Sequence, residues 1–322
     1  MEPILCLRNV SLIYHSPDAE TLAIKDLNLE VMPGEFVAIV GPSGCGKSTL
    51  LGVLAGLETL DGGTVELCGT PVSGASGRMG FMPQRDQLFE WRTIRDSVML
   101  GLQIRRDRDD THRKHVETLL ERYGLAEFAE KRPEQLSGGM RQRCALIRTL
   151  ATDPDILLLD EPFSALDYQT RLAVSGDIWR IIRSEGKTAL LVTHDISEAV
   201  SMSDRVVVLS RRPAVVKAVF DMGELRQLDP MQRRENPAFP RFFDAIWKEL
   251  ELHEEIGRIT QAGALSASAA AAEPPGAGLA DRHTGGIFCP LGAELSDRTQ
   301  RRVSGQLSQP YRGDVRASVP QR

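Results

Sequence analysis

The chain has 322 residues, of which 42% are hydrophobic, so it is long enough for one large or two modest domains with a substantial core. Its net charge of −5 argues against a nucleic-acid-binding protein, because such proteins usually carry a basic excess. Five scattered cysteines without a CxxC pair indicate reduced thiols in a cytosolic setting, and the absence of a long apolar run predicts a soluble chain.

Short apolar runs over the first 220 residues predict the strands of a buried parallel sheet. Runs of this length, bounded by turn residues and rich in Val, Ile and Leu, are typical of such strands. They alternate with segments of helical character, so we expect an α/β core. The runs are "EFVAIVG", "MGFMP", "DILLLDEP", "TALLVTHD" and "DRVVVLS".

Strand signals stop between residues 85 and 150, where the pattern becomes helical. Val116, Leu119, Leu120 and Tyr123 fall on one face of a helix. This change predicts a helical insert within the α/β core.

The last periodic segment follows Pro240. Its apolar residues recur at helical spacing and predict an amphipathic helix over 240–260. Residues 261–322 begin with an Ala-, Pro- and Gly-rich stretch and contain no lysine, so we expect a mostly disordered tail. A regulatory or partner-binding arm is the alternative for this tail. The apolar residues of the helix are Phe243, Ile246, Trp247 and Leu250.

The segment "GPSGCGKST" at 41–49 fits the phosphate-binding pattern GxxxxGK[ST]. Its glycines let backbone N–H groups turn toward phosphates, and the following helix directs its N-terminus at the same charge. Lys47 supplies a cation for the β- and γ-phosphates, Ser48 offers a hydroxyl to Mg²⁺, and Thr49 can hold a phosphate oxygen. A chance glycine-rich turn is the alternative, which the flanking strand and helix disfavour. The predicted nucleotide-binding residues are Gly41, Pro42, Ser43, Gly44, Cys45, Gly46, Lys47, Ser48 and Thr49.

Two acids, Asp160 and Glu161, stand at the end of the run "ILLLDEP". The carboxyl ends of parallel strands collect ligands. We expect Asp160 in the Mg²⁺ shell and Glu161 beside the attacking water, which it orients or deprotonates. Two solvated acids at an ordinary strand end are the alternative.

Three single residues are weaker candidates. His194 follows a predicted strand and can donate to a γ-phosphate, or can simply cap the strand end. Gln84 can bind both Mg²⁺ and the attacking water, or can be a polar loop residue. Tyr14 can stack on adenine, or can be a half-buried strand residue.

A second glycine pair lies in "LSGGM" at 136–140, and "SALD" follows at 164–167. With the phosphate loop, Gln84, "ILLLDEP" and "THD" at 193–195, these motifs resemble the ATP-binding-cassette (ABC) ATPases, in the order that this superfamily has. The resemblance covers about residues 4–250.

The resemblance implies an α/β fold: an ABC-type, RecA-like P-loop NTPase core with an antiparallel β subdomain and an α-helical insert subdomain. The ABC ATPase domain is then predicted over 1–260. Its parts are the α/β core at 1–84 and 151–225, the helical subdomain at 85–150 and the C-terminal helix at 240–260.

The family's roles can be carried over by motif. Tyr14 becomes the adenine-stacking aromatic, Gln84 the Q-loop glutamine, Glu161 the catalytic base and His194 the switch histidine, while Asp167 crosses a dimer interface. The resemblance implies two copies that pack head to tail. The loop Ser137, Gly138 and Gly139 of one copy then closes over the γ-phosphate that the other copy's Lys47 holds.

Longer stretches look like the ATP-binding subunits of bacterial importers for nitrate, aliphatic sulfonates and taurine. Glu90 replaces the proline that is usual there before Trp91, Pro83 before Gln84 is less usual, and Met140 fits this group. The implied partners are two membrane permease subunits and, indirectly, a periplasmic binding protein, with no nucleic acid. The implied place is the cytoplasmic face of the membrane. The stretches are "GPSGCGKSTLL", "LFEWRTIRDSVMLGL", "DEPFSALDYQTR" and "VTHDISEAVSMSDRVVVLSRRP".

A groove beside Gln84, Leu88, Phe89 and Trp91 is expected to receive a cytoplasmic helix of the permease. The alternative is that Phe89 and Trp91 fill the core of the insert. A soluble ABC ATPase of DNA repair or translation is the rival function, and an exporter cassette is a third. The helix after "LSGG" also has a face that we expect to serve packing, which consists of Met140, Cys144, Ile147 and Ala151.

Overall fold

The computed structural model of the chain describes residues 2–17, 19–107 and 109–250. The predicted tail over 261–322 and residues 251–260 of the predicted last helix lie outside this part. The strands of the described residues are β1 (Leu5–His15), β2 (Glu20–Val31), β3 (Phe36–Val40), β4 (Gly62–Leu67), β5 (Thr70–Pro71), β6 (Met79–Met82), β7 (Ile156–Asp160), β8 (Thr188–Val192), β9 (Arg205–Leu209) and β10 (Val216–Asp221).

The helices of the same residues connect and cover these strands. They are α1 (Lys47–Leu54), α2 (Ile94–Val98), α3 (Leu100–Ile104), α4 (Asp110–Arg122), α5 (Gly138–Leu150), α6 (Tyr168–Ser184), α7 (Ile196–Met202), α8 (Pro230–Glu235) and α9 (residues 239–250).

The central sheet has six strands in the order β10-β9-β3-β8-β7-β6. Neighbouring strands from β9 to β6 are parallel, and β10 joins β9 antiparallel. All five residues of β3 and of β8 are buried, as expected for strands that are covered on both faces. All five strands predicted from apolar runs are confirmed.

A second sheet, in the order β2-β1-β4-β5, is antiparallel. The end of β2 alternates in burial, with Leu27, Leu29 and Val31 buried and Asn28 and Glu30 exposed, as expected where one face is packed. In β1, Leu5, Leu7 and Leu12 are buried, whereas Arg8 is exposed. Each such leucine contributes about 1.5–3 kcal/mol relative to an exposed position.

The segment between residues 85 and 150 is helical, as predicted, and contains α2 to α5. Val116, Leu119 and Leu120 are fully buried in α4, and Tyr123 packs against the same core. In α5 the predicted packing face is confirmed: Cys144, Ile147 and Ala151 are buried and Met140 packs on them. Burial raises the pKa of the Cys144 thiol to about 12.

The C-terminal helix α9 packs on the core through Ile246, which is fully buried, with Phe243 and Leu250 beside it. Trp247 differs from the prediction, since 47% of its surface is exposed. It follows Ile246 directly and therefore points about 100° away around the helix. Its ring instead stacks on Phe243, with centroids 6.2 Å apart.

A buried arginine fastens α8 to the core. Arg233 has no exposed surface and donates to the carbonyls of Leu228, Ser203 and Arg226. Its guanidinium lies 3.8 Å from the carboxylate of Asp204. Burial lowers the pKa of Arg233 to about 10, and the charge of Asp204 opposes that shift.

The parallel strands place several loops at one edge of the central sheet. The loops after β3, β6, β7, β8 and β9 all leave the carboxyl ends of their strands, which lie at the same edge. In such sheets this edge is where ligands bind.

Candidate functional site

The loop between β3 and α1 carries the phosphate-binding pattern, in the context that was predicted. Gly44 has φ +71° and Gly46 has φ +120°, conformations that glycine adopts without cost. A Cβ on Gly46 would lie 3.2 Å from the carbonyl oxygen of Ala23. A larger residue at position 46 would therefore be strained and would crowd the backbone of β2.

Lys47 is the first residue of α1 and folds back across its own loop. Its Nζ donates to the carbonyl oxygens of Gly41 at 2.8 Å and Pro42 at 3.0 Å. The side chain of Cys45 is buried in the same loop, and this burial raises the pKa of its thiol. Gly41, Pro42 and Cys45 thus form the frame that holds the ammonium group.

A cavity of about 590 Å³ opens above this loop. Nine of its lining residues were predicted from the sequence, and they come from four separate segments. The loops at the carboxyl edge of the sheet are therefore brought together as expected. The lining residues are Ser43, Gly44, Gly46, Lys47, Ser48, Thr49, Gln84, Glu161, His194 and Arg212.

The side chain of Glu161 contacts residues from two other loops. One carboxylate oxygen, Oε2, accepts a hydrogen bond from Gln84 Nε2 at 3.3 Å and lies 3.1 Å from His194 Nδ1. The backbone of Glu161 has φ +44°, a conformation that costs a non-glycine residue about 1–2 kcal/mol. Its N–H donates to the carbonyl of Val192, and Ser164 Oγ donates to its carbonyl.

Asp160 lies beside Ser48, which lines the cavity, but does not itself belong to the lining. The hydroxyl of Ser48 donates to Asp160 Oδ1 at 3.2 Å. Burial raises the pKa of the Asp160 carboxyl, while the hydrogen bond from Ser48 works in the opposite direction. A cation placed here would be favoured by the partly buried carboxylate.

Tyr14 lies on β1, beside the cavity rather than on its wall. Its hydroxyl is 3.3 Å from Thr49 Oγ1 and 3.3 Å from Glu58 Oε1. The side chain is 39% exposed. This position is compatible with both interpretations of Tyr14. Part of the side chain is open to solvent beside Thr49, and the rest is covered within its strand.

The "LSGG" loop begins α5. Ser137 is the N-cap, and its Oγ accepts from the N–H of Met140 at 3.3 Å. A Cβ on Gly139 would lie 2.6 Å from Val174 in α6, so glycine permits the two helices to pack closely. Among the described residues that line the cavity, Ser137, Gly138 and Gly139 do not occur.

Asp167 begins α6 in the same manner. Its side chain accepts from the N–H of Thr170, and hydrogen bonding to the side chain and backbone of Thr170 lowers the pKa of the carboxyl. Asp167 also lies outside the lining of the cavity in the described part of the chain.

Arg212, which follows β9, was missed by the sequence analysis. Its Nη2 donates to the carbonyl of Gly44 at 2.9 Å, and the side chain lines the cavity. The sequence did indicate the location of this residue, because the run "DRVVVLS" predicted a strand whose carboxyl end lies at the same edge of the sheet as the phosphate loop.

The segment after Gln84 is fastened to α5. Arg141 donates to the carboxylate of Asp86 at 3.1 Å and to the carbonyl of Leu136 at 2.9 Å. Arg148 donates to the carbonyls of Asp86 and Gln87. Gln84 and the "LSGG" loop are thus linked through one helix.

Phe89 and Trp91 form an exposed aromatic pair near this segment. They are 38% and 70% exposed, and their ring centroids are 4.8 Å apart. The alternative that they fill the core of the insert is therefore wrong, since only Leu88 of the predicted groove is buried. Among the helices of the described residues, none has both the length and the apolar character that a membrane span requires.

Comparison with known proteins identifies the family. A family model described as ABC transporter matches residues 24–164. A taurine import ATP-binding protein, TauB of Jannaschia sp. (strain CCS1), is 36% identical over 265 residues, which are 81% of this chain and 99% of that protein. An aliphatic sulfonates import ATP-binding protein, SsuB 2 of Agrobacterium fabrum (strain C58), is 44% identical over 64% of this chain and 77% of its own.

The fold has a solved counterpart. The ATP-binding cassette MJ0796, in a dimeric post-hydrolysis state bound to ADP and Pi, superposes with a TM-score of 0.58 at 31% identity, covering 68% of this chain and 98% of that chain. The fold class predicted from the motifs is thus confirmed. This chain belongs to the ATP-binding proteins of ABC transporters and is a P-loop ATPase that binds ATP.

Proposed function

We propose that this chain is the ATP-hydrolysing subunit of a bacterial importer and that two copies share their active sites. One observation carries the proposal: Gln84 and His194 both engage the Glu161 carboxylate, across the cavity from the loop of Lys47. The taurine and sulfonate import relatives support the importer part.

The phosphates of ATP bind at the loop before α1. Lys47 exchanges its carbonyl partners for phosphate oxygens, and the N–H groups at the start of α1 face the same charge. Thr49 holds a phosphate oxygen. Tyr14, hydrogen-bonded to Thr49, offers its exposed ring to the adenine.

Three residues at or next to the cavity fit Mg²⁺. Ser48, Asp160 and Gln84 supply hydroxyl, carboxylate and amide oxygens, which this hard cation prefers, and the first two are already within hydrogen-bonding distance. When bound, Mg²⁺ neutralises charge that develops on the phosphates.

Glu161 is the general base in this proposal. Its carboxylate takes a proton from the attacking water, and the strained backbone together with Gln84 and His194 fixes where that carboxylate points. His194, as a donor, also faces the γ-phosphate.

A second copy of the chain completes the site. Ser137, Gly138 and Gly139 stand at the N-terminus of α5, where N–H groups attract anions, yet they do not line the cavity of their own chain among its described residues. In the dimer they close over the partner's nucleotide, and Asp167 lies at the same interface. The dimeric cassette MJ0796 supports this arrangement.

The permease partner docks at the exposed surface of Phe89 and Trp91, beside the buried Leu88. An exposed stacked aromatic pair next to the Gln84 segment suits such a contact and favours transport over a soluble, non-transport ABC ATPase. The homodimer then sits on the cytoplasmic face with two permease subunits, and a periplasmic binding protein delivers a small anionic solute such as nitrate, a sulfonate or taurine.

Glu161→Gln tests this proposal. The variant keeps shape and hydrogen-bonding capacity but cannot accept the proton, so steady-state hydrolysis should fall at least about a hundredfold. ATP binding should persist, and ATP should drive a dimer that can be seen by size-exclusion chromatography. Glu121→Gln, an exposed residue of α4, is the control and should hydrolyse ATP at the parental rate. Parental turnover by Glu161→Gln would refute the base assignment, and a monomer in ATP would refute the shared site.

A further inference from the structure

We propose that Arg171 is a positioning residue. Its contacts keep the loop of His194 and the segment before α6 in a fixed arrangement relative to each other during ATP hydrolysis. The inference rests on the proposed function, because that function assigns the roles of His194 and Asp167.

Arg171 first contacts the segment that precedes its own helix. It lies in the first turns of α6, and its Nη2 donates to the carbonyl oxygen of Leu166 at 3.0 Å. Leu166 directly precedes Asp167, the N-cap residue of α6. The guanidinium therefore fixes the backbone immediately next to the residue proposed to meet the partner copy.

The same guanidinium contacts the residue that follows His194. Nη1 donates to Asp195 Oδ2 at 3.3 Å. The other oxygen of Asp195 accepts from the N–H groups of Ser197 and Glu198 and so begins α7. The C-terminal side of His194 is thus held both by a helix cap and by Arg171.

A buried glutamate extends this hold to the residue before His194. The Glu198 side chain is 4% exposed, and its Oε1 lies 3.7 Å from Arg171 Nε. Its Oε2 accepts a hydrogen bond from Thr193 Oγ1 at 2.6 Å. Burial raises the pKa of Glu198, and the nearby Arg171 cation works against that rise.

Both neighbours of His194 are therefore connected to one side chain, Asp195 directly and Thr193 through Glu198. The imidazole between them lies 3.1 Å from the carboxylate of Glu161. A movement of Leu166 is consequently transmitted to the position of His194. The planar guanidinium makes two hydrogen bonds, to Leu166 and Asp195, and holds its charge 3.7 Å from Glu198 as an ion pair.

The chain offers a matched control for Arg171. Arg180 lies on the same helix, is exposed, and pairs at 3.4 Å with Asp177 one turn earlier. Within the described part of the chain, its side chain makes no hydrogen bond to either loop. Arg180→Gln removes the same charge from the same helix without touching the connection.

The experiment compares Arg171→Gln, Arg171→Lys and Arg180→Gln. For Arg171→Gln we expect kcat to fall about tenfold, while the Kd of the monomer for ATP changes by less than about twofold. Arg171→Lys keeps the positive charge but lacks the planar guanidinium, so its kcat should fall nearly as much as that of Arg171→Gln. Arg180→Gln should match the parent. If kcat of Arg171→Gln equals that of Arg180→Gln, or if kcat and ATP affinity fall in parallel, the proposal is wrong.

A double-mutant cycle separates positioning from mere stability. Glu198→Gln retains an acceptor for Thr193 and lacks the charge that faces Arg171. If Arg171 acts through Glu198, the double variant should lose less rate than the product of the two single losses. If the loss of rate in the double variant equals the product of the two single losses, Arg171 does not act through Glu198. If Arg171→Gln does not fold, Arg171→Lys and Glu198→Gln carry the test.

The Glu161→Gln background distinguishes failure of the inference from failure of the proposed function. Without an ATP-driven dimer in Glu161→Gln itself, the proposed function fails, whatever Arg171 does. If that variant dimerises, adding Arg171→Gln should raise the ATP concentration needed for dimerisation by about threefold or more. If Arg171→Gln changes neither dimerisation nor kcat, the role of Arg171 is refuted and the proposed function is unaffected.

Discussion

Gly46→Ala tests whether the phosphate loop depends on its glycine geometry. At φ +120° an alanine is in a region that is nearly exclusive to glycine, at a cost of about 1–3 kcal/mol. Its Cβ would also lie 3.2 Å from a backbone oxygen of Ala23 and 3.4 Å from the Cβ of Ala214. Both effects push the loop away from its position, so the N–H groups at the start of α1 no longer face the phosphates. We expect ATP affinity to fall at least about tenfold, which corresponds to about 1.4 kcal/mol.

The control for this change is Gly69→Ala. Gly69 has φ +72°, and a Cβ at this position would meet nothing within 4 Å, so alanine there adds strain without a clash and far from the loop. Urea unfolding should show a loss of about 1–2 kcal/mol for this variant, while its Kd for a fluorescent ATP analogue should equal that of the parent. Parental affinity in Gly46→Ala, or an equal loss in Gly69→Ala, would refute the reasoning.

Three further changes test separate features. Asp204→Ala removes a carboxylate that pairs with Arg183 at 2.5 Å, accepts from the N–H of Phe36 and faces the buried guanidinium of Arg233, so it should lower the free energy of unfolding by about 3–5 kcal/mol. Asp177→Ala, which breaks an exposed pair, should cost less than about 1 kcal/mol, and equal losses would contradict this. Because burial raises the pKa of Asp160, its ionisation costs folding free energy that is absent at low pH and grows as pH rises above the unfolded value of 3.8. Asp160→Asn should therefore resist urea better than the parent at neutral pH, with a difference that disappears in acid, while Mg²⁺-dependent ATP binding weakens. A pH-independent difference would rule out this cause. Trp91→Ala should change the unfolding free energy by less than about 1.5 kcal/mol but should abolish stimulation of hydrolysis by a reconstituted permease, and retained stimulation would count against the docking surface.

The phosphate loop and the two acids at the end of β7 were predictable because their constraints are local. A glycine pattern between a strand and a helix admits few backbone arrangements. The parallel sheet then places Gln84, Glu161 and His194 at one edge without any further information. Each of these residues lies within a few positions of a strand end that the apolar runs had marked.

Side-chain contacts between distant segments were not predictable. Arg212 and Gly44 are 168 residues apart, and no local pattern indicates that they meet. The exposure of Trp247 likewise depends on how α9 turns toward the core, because helical spacing alone defines a stripe broad enough to include it. Which arginine faces which carboxylate is decided by packing, and that information is spread over the whole chain.

Arg141 and Arg171 stand in the same relation to their helices. Each donates to a carbonyl five residues earlier, at Leu136 and at Leu166, one residue before the N-caps of α5 and α6. Each also donates to a carboxylate beside a residue that contacts Glu161: Arg141 reaches Asp86, near Gln84, and Arg171 reaches Asp195, next to His194. The carboxylate of Glu161 is thus contacted from two sides, by loops that are hydrogen-bonded to the starts of two different helices. Because those starts are the surfaces proposed to meet the second copy, we expect a displacement of either one to reach Glu161, the proposed base, through these side-chain contacts rather than through the sheet.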